Sequence, residues 1–193
     1  MSILDAFRSR SATAEWREDL GFLLVADLER FELNGVGFGE DVEGLSFLGP
    51  SESKWFDYPR KGLQLDADSK GRLEGLVLAL RDGVYLGRVE PERVQRFTGR
   101  IRMNGREWEP AELRDESDFV AAWGEPYWRD EDEEEVILFF EFDQGEVQVE
   151  LTLEGVPQIL IVTPNPLMAD STQRESYGVT KSWPPSGSQA PDR

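Results

Sequence analysis

One order of residues occurs twice in this chain, and it narrows the folds open to it more than any other feature. Residues 48–80 read LGPSESKWFDYPRKGLQLDADSKGRLEGLVLAL: a Gly-Pro break, an aromatic cluster (Trp55, Phe56, Tyr58), then two alternating apolar runs around a polar turn. Residues 122–162 read AWGEPYWRDEDEEEVILFFEFDQGEVQVELTLEGVPQILIV, with the same succession of break, aromatics and strands. A short apolar segment closed by Asn-Gly precedes each copy, FELNG at 31–35 and IRMNG at 101–105. Asn-Gly supplies the positive φ angles of a tight hairpin turn. Four segments follow from this layout: a helical N-terminal segment (1–30), an α+β unit (31–90), a second such unit (97–163), and an extended C-terminal tail (164–193) whose end is disordered.

Within the N-terminal segment, Ser11 or Thr13 caps an expected helix that carries Trp16 and Leu20 and stops at Gly21. Val42, Leu45 and Leu48 lie at helical spacing ahead of Gly49-Pro50, which ends a helix of one or two turns. Gly62–Asp66 and Leu73–Leu80 alternate as antiparallel strands, with Leu63, Leu65, Leu76, Leu78 and Leu80 on one face. In the second unit, Glu112–Trp123 is expected to be a helix stopped at Gly124. Asp130–Glu135 is expected to be an acidic turn. Val136–Phe142 is apolar on both faces, as a central strand covered on both sides would be. Val147–Leu153 and Ile159–Val162 complete a meander, and one further helical turn falls near Ala169–Ser176.

Charge narrows the choice of partner. The chain carries a net charge of −18, and residues 115–154 hold fifteen acids against one basic residue, Arg129. Such a segment attracts a basic protein and repels nucleic acid and anionic membrane. No apolar run approaches the ~20 residues of a membrane helix. No secretory apolar region opens the chain, and cysteine is absent, which agrees with a cytoplasmic location. With neither His nor Cys, thiol chemistry, His-assisted serine catalysis and the usual transition-metal sites are out of reach.

Three local patterns stop short of a site. DADSKGRLE at 66–74 begins like a calcium loop, but Val77 stands where the bidentate Glu is needed, and strands flank it, so it is expected to be a hairpin turn. The run DEDEEE at 130–135 lacks the fixed spacing of a cation loop. GVGFGED at 35–41 lacks a phosphate-binding glycine pattern. No cofactor and no metal is expected, and no enzymatic activity.

The order of short helix, Gly-Pro stop, Trp or Tyr, then meander resembles the repeat of the β-lactamase inhibitor proteins and of the SmpA/OmlA-type outer-membrane lipoproteins. The resemblance rests on Leu48-Gly49-Pro50, Trp55, Tyr58 and residues 62–80, and more loosely on Trp123–Pro126, Tyr127, Trp128 and the strands to Val162. It implies an α+β fold in which two units form one curved antiparallel sheet with helices on one face, leaving the other face to a partner. The lipoprotein Cys is missing here, so a membrane-assembly role does not carry over, and neither does inhibition of a β-lactamase.

The expected function is a protein-binding module, an immunity or inhibitor protein with an acidic face for a basic partner. Its candidate contact residues are Trp55, Tyr58, Trp128, Asp130, Glu131, Asp132, Glu133 and Glu134. The alternatives are a structural or homo-oligomeric module and a carboxylate-dependent hydrolase, which needs two acids about 5–10 Å apart.

Overall fold

A computed structural model describes residues 13–52, 56–87 and 89–183. Its strands are β1 (Val25–Asp27), β2 (Glu32–Leu33), β3 (Val36–Gly37), β4 (Phe56–Tyr58), β5 (Leu63–Ala67), β6 (Leu73–Ala79), β7 (Arg100–Met103), β8 (Arg106–Trp108), β9 (Trp128–Glu131), β10 (Glu135–Phe142), β11 (Gly145–Thr152) and β12 (Pro157–Thr163). They form a five-stranded sheet in the order β3-β2-β1-β7-β8 and a seven-stranded sheet in the order β4-β5-β6-β12-β11-β10-β9.

This corrects the expected α+β class and its single sheet. The described residues are mostly β, in two sheets. Helix is confined to α1 (Glu116–Trp123), α2 (Ser171–Ser176) and brief 3-10 turns such as Val42–Leu48. The apolar helices stay short because Gly49 follows Val42–Leu48 and Gly124 follows α1, so burial has to come from strands. The larger sheet is antiparallel throughout, but the smaller one is not: β1 runs parallel to β7, pairing Ala26 with Ile101. That contact joins segments 75 residues apart, and no local periodicity announces it.

The expected N-terminal helix is also absent from residue 13 onward. Trp16 is buried and packs on Phe56 with ring centroids 5.8 Å apart. The Thr13 hydroxyl accepts from the Ser51 amide at 2.8 Å, and the Asp19 amide donates to the Phe47 carbonyl at 2.9 Å. These bonds lay the segment along the Val42–Leu48 turn, where coiling would cost both. The part of that expectation before Thr13 lies outside the described residues, as does the expected disordered end of the tail.

Alternation places the core. Leu65 faces Leu76, which faces Val162, then Val147 and Phe140, so one row of apolar side chains crosses five strands. Leu63, Leu78, Leu160, Val149 and Leu138 form the neighbouring row. These rows pack with Leu33, Ile101 and Met103 of the smaller sheet and with Phe119 of α1 in one core. Each fully buried side chain of this size contributes about 1.5–3 kcal/mol.

The opposite face of the larger sheet is also covered. The connector over β6 and β12 sets Val84, Leu86 and Val94 on Ala79 and Ile159. Phe139, on the same face of β10, is 2% exposed. The double covering expected for β10 is therefore present, but β10 is one strand from the edge rather than central, because β9 flanks it.

Both Asn-Gly turns have the expected conformation, with φ of 50° and 82° at Asn34 and Gly35 and 49° and 68° at Asn104 and Gly105. The DADSKG turn is a hairpin closed by Asp68, which accepts from the Lys70 and Arg72 amides at 2.7 and 2.9 Å. The Arg72 amide in particular holds the Asp68 carboxyl down to about 2.

Candidate binding face at the acidic edge

The acidic residues gather on a two-stranded ribbon at one end of the larger sheet. The acidic turn expected over Asp130–Glu135 is shorter, because Asp130 and Glu131 belong to β9. This strand pairs with β10, Trp128 opposite Phe139, Asp130 opposite Ile137 and Glu131 opposite Val136. Asp132 shapes the connecting turn by accepting the Glu134 and Glu135 amides at 2.7 and 3.0 Å, bonds that hold its carboxyl below the usual range. Glu133 and Glu134 therefore stand exposed at the apex.

Charge within the ribbon is only partly compensated. Arg129 forms an ion pair with Glu131 and lies 3.8 Å from Glu116 of α1. Among the described residues no cation is in salt-bridge reach of Asp130, Glu133 or Glu134. The repulsion is visible one residue on: partial burial, then Asp132, Glu134 and Asp130, push the Glu135 carboxyl up.

Of the aromatics expected beside this charge, Trp128 is present. Its ring stacks on Phe139 at 4.5 Å and meets Tyr177 at 5.3 Å. Tyr177 itself is 58% exposed, so one aromatic platform flanks the acids on one face.

Tyr58 is a correction. It is 4% exposed, donates its hydroxyl to the Gly49 carbonyl at 3.2 Å, and burial pushes its phenol up. It also lies on β4, the opposite edge strand from β9, so the fold does not bring the two groups together. Asp57 beside it is 4% exposed as well, and the β-pleat sets Tyr58 on the face of Leu63. Trp55 lies outside the described residues.

Sequence patterns alone missed a second set of groups beside the ribbon. The C-terminal segment crosses the outer face of β10 and β11, and Arg174 of α2 is buried there on Glu141. The Arg174 guanidinium also donates to the carbonyls of Met168 and Lys181 and sits 5.0 Å from the Tyr127 ring. Lys181 Nζ lies 3.6 Å from Glu141 Oε2. Glu146, fully buried, accepts from the Tyr127 hydroxyl at 2.5 Å, Gln148 Nε2 at 2.7 Å and the Leu167 amide at 3.3 Å. Burial raises both the Tyr127 phenol and the Glu146 carboxyl. Glu150 lies between Ile137 and Ile159 on that face, and desolvation, with Glu135 adding, pushes it up to about 7. One signal was present: Glu146, Gln148 and Glu150 occupy alternate positions of a strand, with Val147, Val149 and Leu151 between and after them.

No family model, curated protein or solved structure matches the chain. A function must therefore come from the site itself. A groove of about 720 Å³ runs past Asp82, Arg96, Arg100 and Glu109. Three of its charged groups serve the fold: Arg100 pairs with Glu109, and Asp82 accepts the Arg96 amide at 2.7 Å. Among the described residues no three acids are grouped to hold a metal, and no helix is long and apolar enough to cross a membrane.

Proposed function

We propose that this protein is a non-enzymatic binding module, an immunity or inhibitor protein, that docks a basic protein on the β9–β10 ribbon. The observation that carries this reading is the uncompensated charge of Asp130, Glu133 and Glu134 on an exposed ribbon beside Trp128 and Tyr177. Aromatic rings give such a surface contact area, while the acids steer a partner of opposite sign and fix its register. Trp128, Asp130, Glu131, Glu133 and Glu134 make the contact, and Asp132 shapes it. Kinship of layout with the β-lactamase inhibitor proteins belongs to the same proposal and rests on the quoted motifs. So does a cytoplasmic location, which a chain without cysteine accommodates.

The test is affinity capture from a lysate of the source organism with the wild type and with D130K/E133K/E134K. A basic protein retained only by the wild type, and released between about 50 and 500 mM salt, supports the reading. Retention of the same proteins by both baits overturns it.

A further inference from the structure

The ribbon is also an open sheet edge. β9 hydrogen-bonds to β10 on one side and has no strand neighbour on the other among the described residues. Donors and acceptors along such an edge template a further strand. Natural edges of this kind either exclude all comers with charge or admit one chosen extended chain.

Charge selects the occupant. A second copy would bring another ribbon of the same sign, Asp130–Glu134 with its single neighbouring cation, Arg129, already held by Glu131 and Glu116. An acidic or neutral strand gains nothing to offset that field. A basic one does. The pleat sends Asp130 and Trp128 to the face that carries Ile137 and Phe139, and an added strand would set alternate side chains beside them. A lysine or arginine there meets the Asp130 carboxylate and the rings of Trp128 and Tyr177, which attract a cation by their π faces.

We propose that the partner is bound by strand addition: an extended segment with basic residues at alternate positions joins the outer side of β9 as an eighth strand. This rests on the acidic-ribbon reading above and goes beyond it in specifying backbone pairing. Backbone bonds supply affinity in such complexes, and alternate side chains supply specificity.

The test uses the full chain and a capped peptide of about eight residues alternating lysine and threonine, long enough to span β9. Its control is the same peptide N-methylated at every peptide bond, which keeps the charges and removes the donors. The expected result is binding of the unmodified peptide with protection of β9 amides from hydrogen exchange, and affinity for the control weaker by about tenfold or more. Equal affinity for both peptides overturns strand addition and leaves the acidic face as a binding surface. No binding of either peptide at low salt overturns both.

Discussion

Arg174 places its guanidinium on the Glu141 carboxylate, and both side chains are enclosed, at 3% and 0% exposure. This pair fastens the segment after β12 across the sheet face next to the acidic ribbon. That segment also supplies cations to the acidic stretch, whose own single cation is Arg129: Arg174 and Lys181, both beyond residue 154, serve Glu141. The negative charge of residues 115–154 thus divides into an inner part that holds the fold and an outer part, on the β9–β10 ribbon, that faces solvent.

Removing one member of a buried pair strands the other. Arg174→Met leaves Glu141 with Lys181 alone and leaves the Met168 and Lys181 carbonyls without their donor. Equilibrium unfolding in urea is expected to show a loss of about 3–5 kcal/mol. The double variant E141M/R174M is expected to lose less than R174M, because no carboxylate is then buried without its partner. Additive losses would mean that the two groups stabilise the protein separately.

Glu150 makes stability depend on pH. Its folded pKa is raised from 4.5 to about 7, so the folded state holds the proton more tightly than the unfolded chain. Stability from this group is fully present below about pH 4.5 and is lost as pH rises through about 7. Glu150→Gln is therefore expected to melt a few degrees above the wild type at pH 8, at about 2–4 °C per kcal/mol, and level with it at pH 4. Thermal melts across that range check this. A variant that melts lower at pH 8 contradicts it.

Two glycines with positive φ should respond differently to a methyl group. At Gly35 (φ 82°) a Cβ meets nothing within 4 Å, so Gly35→Ala carries backbone strain alone, about 1 kcal/mol. At Gly62 (φ 60°) a Cβ would sit 2.3 Å from the Phe97 nitrogen and 2.4 Å from the Gln95 carbonyl oxygen. Both neighbours are backbone and cannot swing aside. Gly62→Ala is expected to be the more damaging by about 2 kcal/mol or more in urea titration, since it also displaces the Phe97 amide from the Ala79 carbonyl.

What was legible in the residues was local. The leucine alternation of β5 and β6 and the two Asn-Gly turns are stated by side-chain period and positive-φ chemistry, and each stands where expected. The β9 strand was not, because an edge strand has one neighbour and need not alternate apolar residues; Asp130 and Glu131 look like part of an acidic turn until Ile137 and Val136 are laid beside them. The division into two sheets was hidden for a different reason, since β1 and β7 find each other across 75 residues. Tyr58 lies next to charged Asp57, so proximity in sequence suggested the surface, while the fold buries both residues. The Arg174–Glu141 pair joins a strand to a polar segment without pattern, and neither residue signals the other.

The most direct measurement is a calorimetric titration of the lysine–threonine peptide into the wild type and into D130N/E133Q/E134Q at about 20 and 200 mM salt. The neutralised variant keeps Asp132, which shapes the turn, and Arg129 with Glu131, so its fold is retained. Binding by the wild type that weakens with salt, together with an affinity lower by about tenfold or more in the variant, is the expected result. Equal affinities in the two proteins would contradict a role for the ribbon in binding.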